Sequence, residues 1–216
     1  MHNQPSMPSS KPIRILVVDD HFMVRMGLSS SLSVETDIEV VGEANTGEAA
    51  LEAYRQHRPS LVIMDLRLPG MSGTECTAAL IREFPDARIL VLSTHSGEEE
   101  IYRAMQAGAR GYVVKSIVRE ELLRAVREVY RGGQYLDPVV ASHLAERKSH
   151  RPLSSREIDV LRLVARGFAN REIANTLNIA EVTVKLHVSH MLEKLGVNDR
   201  TQAATAALQR GIISLD

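Results

Sequence analysis

Three aspartates, a serine and a lysine each stand directly after a short apolar run in this chain of 216 residues. Asp19 and Asp20 follow residues 13–18 (IRILVV), Asp65 follows 61–64 (LVIM), Ser93 and Thr94 follow 89–92 (ILVL), and Lys115 follows 112–114 (YVV). Neighbouring carboxylates repel one another strongly at low dielectric unless a cation joins them. Carboxylates with carbonyls and waters are the donors that Mg²⁺ prefers, usually one or two carboxylates beside a phosphate. A carboxylate can attack phosphorus where a metal and an ammonium neutralise the phosphoryl oxygens as charge develops. Any one of these residues is explained as a solvated polar group at the end of a strand. All five in these places are not.

The elements that must bring them together have a plain pattern. Nearly continuous apolar runs suit parallel strands covered on both faces. A weaker, alternating strand is expected at 38–43, nearer an edge. Helix-like stretches lie between at 23–32, 47–54, 74–84, 98–107 and 118–131. Five strands alternating with five helices predict a doubly wound, flavodoxin-like α/β domain over residues 13–131. In such sheets ligands bind outside the carboxyl ends of the strands. Glu98-Glu99-Glu100 reads as a solvated first helical turn, favoured by the helix dipole.

Past Arg131 the alternation stops. Gly132-Gly133 ends a helix, and Asp137-Pro138 opens a short one to about residue 147, so 132–151 reads as a linker holding a single helix. From 152 to 216 the periodicity is helical throughout and predicts four helices. Ser154 to Glu157 forms a capping box for the first, whose apolar side carries Ile158, Leu161, Val164 and Ala165, and Asn170 is the expected cap of the second. A turn at 179–180 separates a short helix (170–178) from a longer one (181–195), the layout of a helix-turn-helix. Val184, Val188, Met191, Leu192 and Leu195 stripe the long helix. Lys185, Leu186, Ser189, His190 and Glu193 are left outward. An outward Leu beside Lys and Ser is odd in water but suits a thymine methyl next to guanine or phosphate. An ordinary amphipathic helix is the competing explanation. Asp199 and Gln202 open a fourth helix at about 201–209.

The segments VVDDH, LVIMDLRLPGMSG, LVLST and GYVVKS resemble the receiver domains of two-component response regulators over residues 13–130. The resemblance implies that Asp65 accepts a phosphoryl group from a histidine kinase. It implies that Asp20 and Asp65 ligate Mg²⁺ with the Arg67 backbone carbonyl, and that Asp19 acts through water. Lys115 would pair with the acyl phosphate, Ser93 would bond to a phosphate oxygen, and Tyr112 matches the aromatic that changes rotamer behind such a serine. Arg67 and His95, two residues beyond Asp65 and Ser93, flank the path of an in-line water and are expected to tune hydrolysis. Ser116 stands where many receivers have proline. Residues 153–213 resemble the LuxR-type DNA-binding domain, and the pair of domains resembles the NarL/FixJ class of response regulators. This places Lys185, Leu186 and Ser189 on base edges with Val182 beside them, and Asn170, Thr183, His187 and His190 near phosphates. Ala180 stands where the family often has a capping serine, and Ser189 replaces a second basic residue of some members. Ala203, Ala204, Ala207 and Leu208 are the expected dimer surface.

Composition supports an acidic input joined to a mildly basic output. Residues 13–130 carry 13 Lys/Arg and 18 Asp/Glu, 13 − 18 = −5, while 151–216 carry 9 and 7, 9 − 7 = +2. One cysteine, Cys76, excludes an intramolecular disulfide and a cysteine zinc cluster. Residues 1–12 lack the apolar core of a secretory signal and read as a disordered tail, and no run reaches the ~20 apolar residues of a membrane span, so a cytoplasmic protein is expected. The expected function is a phosphorylation-switched transcription regulator, a dimer on double-stranded DNA, with RNA polymerase a further partner and no external substrate. Two alternatives stand beside it. An enzyme on the same scaffold would need a glycine-rich phosphate loop, and neither G-x-G-x-x-G nor a P-loop occurs. A receiver with vestigial phosphorylation would not need the complete acidic set.

Overall fold

The computed structural model describes residues 11–94, 97–149 and 151–213. The expected disordered tail lies outside them but for residues 11 and 12, and His95 lies outside them too. Contacts divide the described residues into two units, 11–94 with 104–137, and 97–103 with 138–213.

The first unit is built on a parallel sheet. Strand β1 (Ile13–Val18) leads through α1 (Phe22–Leu32) to β2 (Ile38–Ala44), then α2 (Gly47–His57), β3 (Leu61–Met64) and α3 (Gly73–Glu83). Strand β4 (Ile89–Ser93), α4 (Glu98–Gln106), β5 (Gly111–Val114) and α5 (Arg119–Tyr130) follow. The order across the sheet is β2-β1-β3-β4-β5-β6, and every pairing is parallel. The sixth strand, β6 (Tyr135–Leu136), corrects the expectation of five strands and of a linker whose only element is a helix. Two residues carry no readable alternation, so only their pairing with Gly111 and Tyr112 reveals the strand. The alternating β2 is the edge strand, as its pattern predicts, and all four residues of β3 are buried.

Leu32 of α1 and Leu122, Leu123, Val126 and Val129 of α5 pack on one face of the sheet against Ile15, Val17, Ile63, Leu90 and Val113. Two arginines of α5 tie its outer side to the segment before β2. Arg119 donates to Ser31 and Glu35, and Arg127 to Glu35 and Asp37 at 2.7–2.9 Å. Cys76, on α3, is buried, and burial pushes its thiol up to about 12, which leaves it inert. The glutamates opening α4 are not a solvated turn: Glu98 is buried, and Glu99 and Glu100 are half-buried.

The second unit is helical. With residues 98–103 of α4, it holds α6 (Pro138–Ser149), α7 (Ser155–Ala165), α8 (Asn170–Leu177), α9 (Glu181–Leu195) and α10 (Arg200–Gln209). Ser154 and Glu157 form the expected capping box of α7. The cap of α8 differs from expectation. Ala169, not Asn170, is the N-cap, because the Glu172 carboxylate reaches back to accept from the Ala169 N–H at 2.6 Å and satisfies that end from inside the helix. Asn178 closes α8 with a left-handed backbone, φ 52°, which asparagine tolerates well. Asp199 caps α10 by accepting from the Gln202 N–H at 2.8 Å.

The core of this unit joins Val160, Leu161 and Val164 of α7, Ile173 of α8, Val184, Met191 and Leu195 of α9, and Ala203 and Ala207 of α10. Ile158 and Ala165 of α7, and Val188 and Leu192 of α9, pack partly buried against it. Beneath it, Glu157 is buried and accepts both contacts of the Lys194 ammonium, at 2.7 and 3.0 Å.

Candidate functional site

Strand register builds the acidic pocket. Val18 pairs with Met64, so the next residues, Asp19 and Asp65, emerge side by side. Ser93 pairs with Val114, and the Lys115 N–H donates to the Ser93 carbonyl at 2.8 Å, which sets Lys115 at the same edge. Its ammonium lies 2.5 Å from Asp19 Oδ2 and 2.7 Å from Asp65 Oδ2. Asp19, Asp65 and Ser93 are buried, Asp20 is exposed, and Tyr112 is fully buried on β5. The Arg67 N–H lies 3.4 Å from Asp65 Oδ1, and its side chain is exposed.

Burial holds the Asp65 carboxyl above the usual carboxylate range. The Lys115 ammonium pulls the other way, and the Asp19 charge adds to the rise. Burial also draws the Lys115 ammonium down, but its hydrogen bonds to Asp19 and Asp65 outweigh that and raise it. Three carboxylates against one ammonium leave the pocket short of positive charge. Asp19, Asp20, His21 and Asp65 each offer a ligand atom, all within 4.8 Å of one another. The donors fit a divalent cation.

Two residues that sequence reasoning missed hold this edge in place. The Arg25 guanidinium donates to the backbone carbonyls of Asp19 at 2.7 Å and Asp20 at 3.1 Å, fixing the turn that carries both carboxylates. Gly73 opens α3 against the end of β3. A Cβ there would stand 1.9 Å from the Asp65 carbonyl oxygen, so only glycine lets α3 start so near. Gly73 lies eight residues beyond Asp65 in LPGMSG, a signal the chain does contain. Nothing local marks Arg25.

The second candidate surface is α9. Val182 and Leu186 are exposed at 72% and 54%, and Lys185, Ser189 and His190 are exposed beside them. Thr183 and His187 are half-buried, as is Asn170 at the start of α8. Lys185 pairs with Glu181 one turn back at 3.0 Å, a partner the sequence reading did not name. On α10 the expected dimer surface is half corrected. Ala203 and Ala207 are fully buried because the small core beneath α10 needs them, and only Ala204 and Leu208 remain outward.

Comparison with known proteins decides the family. Residues 15–127 match the response regulator receiver domain, and 151–207 match the bacterial regulatory proteins of the luxR family. The response regulator protein VraR of Staphylococcus aureus is 40% identical over 206 residues, covering 93% of this chain and 99% of VraR. The chain is a DNA-binding response regulator. Among solved structures, the response regulator ChrA of a heme-sensing two-component system shares 38% identity over 94% of this chain and 100% of its own, with a TM-score of 0.58. RcsB of Salmonella enterica serovar Typhimurium, bound to promoter P1flhDC in the presence of the phosphomimetic BeF₃⁻, shares 26% identity. That match covers 91% of this chain and 98% of RcsB, with a TM-score of 0.72. The regulator thus pairs a receiver of doubly wound parallel sheet with a LuxR-type helical output, as its motifs imply. Among the described residues no helix is long and apolar enough to cross a membrane.

Proposed function

We propose that phosphorylation of Asp65 by a histidine kinase controls dimerisation and sequence-specific DNA binding by the C-terminal unit, and so transcription from the target promoters in the cytoplasm. The observation that carries this reading is the Lys115 ammonium set between Asp19 and Asp65 at the carboxyl edge of the sheet. An Asp65 carboxylate oxygen attacks the phosphorus of a phosphohistidine. The P–O bond forms as the P–N bond breaks, and the leaving imidazole nitrogen keeps the electron pair. Lys115 then transfers its pairing from the carboxylate to the acyl phosphate, and Ser93 donates to a phosphoryl oxygen. Mg²⁺ held by Asp20, Asp65 and the Arg67 carbonyl, with Asp19 behind water, would supply positive charge to the phosphoryl oxygens. The added group brings about −1.5 to −2 charge, enough to draw Ser93 and reorder Tyr112 behind it. Arg67 shields the acyl phosphate from water. The regulator has no external substrate, and RNA polymerase is its further partner.

On DNA, Lys185, Leu186, Ser189 and Val182 meet base edges. Asn170, Thr183, His187 and His190 meet phosphates, and Ala204 and Leu208 of α10 face a second copy. A small phosphodonor with Mg²⁺ is expected to label the full chain and leave Asp65→Asn unlabelled. Undiminished labelling of that variant at an acid-labile site would remove Asp65 from its role.

A further inference from the structure

We propose that the receiver carries a contact surface for DNA of its own: a row of cations along the amino edge of its sheet, opposite the acidic pocket, that meets phosphates without reading bases. Every pairing in the sheet is parallel, so all its strands begin at one edge. Lys11 stands two residues before β1, and Arg14 is the second residue of that strand. Arg58 comes three residues before β3, Arg88 and Arg110 directly precede β4 and β5, and Arg131 directly follows α5. Neighbouring strands lie about 4.8 Å apart, so β1, β3, β4 and β5 spread these groups over roughly 14 Å.

Elsewhere on the receiver, arginines are matched with carboxylates: Arg55 with Glu83, Arg119 with Glu35, and Arg127 with Glu35 and Asp37. The amino edge differs. Arg14 donates to the Arg58 carbonyl at 3.2 Å and Arg110 to the Gly132 carbonyl at 3.3 Å. Arg58 lies over the Phe84 ring at 4.4 Å, and Arg88 over the Tyr130 ring at 5.4 Å. Among the described residues, none of the six cations stands in an ion pair. Carbonyls and rings orient a guanidinium without neutralising it, so its charge and its remaining N–H donors stay available to phosphate. Lys11, Arg127, Tyr130 and Arg131 also border an open hollow of about 210 Å³ at this edge. Glu39 beside Arg14, Asp86 beside Arg88 and Glu128 beside Gly133 reduce the charge and still leave the edge positive.

DNA is the partner that this distribution favours. The output unit brings an excess of only +2, whereas neutralised phosphates supply nearly all of the affinity in nonspecific binding. Residues 13–130 carry −5, with Asp19, Asp20 and Asp65 gathered at the carboxyl edge, so a duplex repels one end of the receiver and attracts the other. Sharing a chain with α9 holds the receiver at high effective concentration near any duplex that α9 binds. A row of roughly 14 Å spans about four phosphates along each strand.

The test is fluorescence anisotropy of the full chain on a labelled DNA duplex of random sequence, over a series of salt concentrations. Wild type is compared with the triple variant Arg58→Gln, Arg110→Gln, Arg131→Gln, and with the same three residues changed to Lys. A control, Ala49→Glu, Ala78→Glu, Arg124→Gln, takes the same charge from exposed sites on α2, α3 and α5. For the Gln triple alone, the slope of log affinity against log salt is expected to be shallower by about 2, with affinity about tenfold lower at physiological salt. The Lys triple keeps the charge and should follow wild type. An unchanged slope in the Gln triple would overturn the proposal. Equal flattening in the control would overturn it too, by assigning the effect to net charge, as would a Lys triple as weak as the Gln triple. Binding of poly-glutamate that the Gln triple loses, beside an unchanged DNA slope, would give the edge to an acidic protein instead of DNA.

Discussion

At the residue scale, the pocket is a problem of charge and distance that the chain solves with few atoms. Lys115 offsets part of the repulsion between Asp19 and Asp65, and Arg25 holds the turn from behind through carbonyls rather than carboxylates. Gly73 fixes how close α3 comes to Asp65. Gly73→Ala is expected to push the Asp65 segment aside, at about 1–3 kcal/mol of stability, and to slow phosphorylation by a small phosphodonor far more than it alters the fold. Labelling rate beside circular dichroism checks this, and a wild-type rate in the folded variant would refute it. The carboxylates, Ser93 and Lys115 were legible because each follows an apolar run. Arg25 was not, because its role depends on the first turn of α1 bringing a side chain five residues beyond Asp20 back over the strand end.

At the element scale, periodicity located every helix of the described residues to within a few positions, and the capping box of α7 was legible down to its residues. The exceptions are instructive. Ala169 displaced Asn170 as a cap because Glu172 supplied the acceptor from inside the helix. Ala203 and Ala207 belong to the core because α7, α8 and α9 leave little room for α10, and small side chains are what let it sit close. The Glu157–Lys194 pair beneath α7 and α9 gives that unit an acid sensitivity. Burial raises the Glu157 carboxyl, but the Lys194 ammonium and the Ser154 groups outweigh it and hold the carboxyl below its usual range. A carboxyl depressed in the folded state contributes stability above its ordinary range, and that contribution is lost as pH falls through the depressed value. The stability of the C-terminal unit should therefore fall below about pH 4. Glu157→Gln should destabilise it by about 3 kcal/mol at neutral pH and flatten the acid limb. An acid limb of undiminished steepness in that variant would count against the pair.

At the scale of the whole molecule, charge is divided as the two tasks require, −5 over residues 13–130 and +2 over 151–216. One helix-turn-helix reads few base pairs, so useful affinity at physiological salt needs two copies on half-sites about 34–36 Å apart. On the proposed reading phosphorylation has only to shift a population, and a tenfold shift takes ~1.4 kcal/mol of differential stability. Full-length protein is expected to bind its target DNA about tenfold more tightly with phosphodonor at one fixed salt concentration. Asp65→Asn should show no such gain. Equal affinities with and without phosphodonor would separate the receiver from the output.

The two-residue strand β6 also says where the receiver can be cut. It lies alongside β5, the strand that carries Tyr112 and ends just before Lys115, and α6 begins two residues after it, at Pro138. A graft that joins this receiver to a foreign output at Arg131, where the sequence pattern breaks, would strip β5 of its neighbour and expose its edge in the hybrid. A junction after Asp137 keeps the sheet whole. For anyone building sensors from interchangeable parts, the six residues after Arg131 are part of the module and not of the wiring.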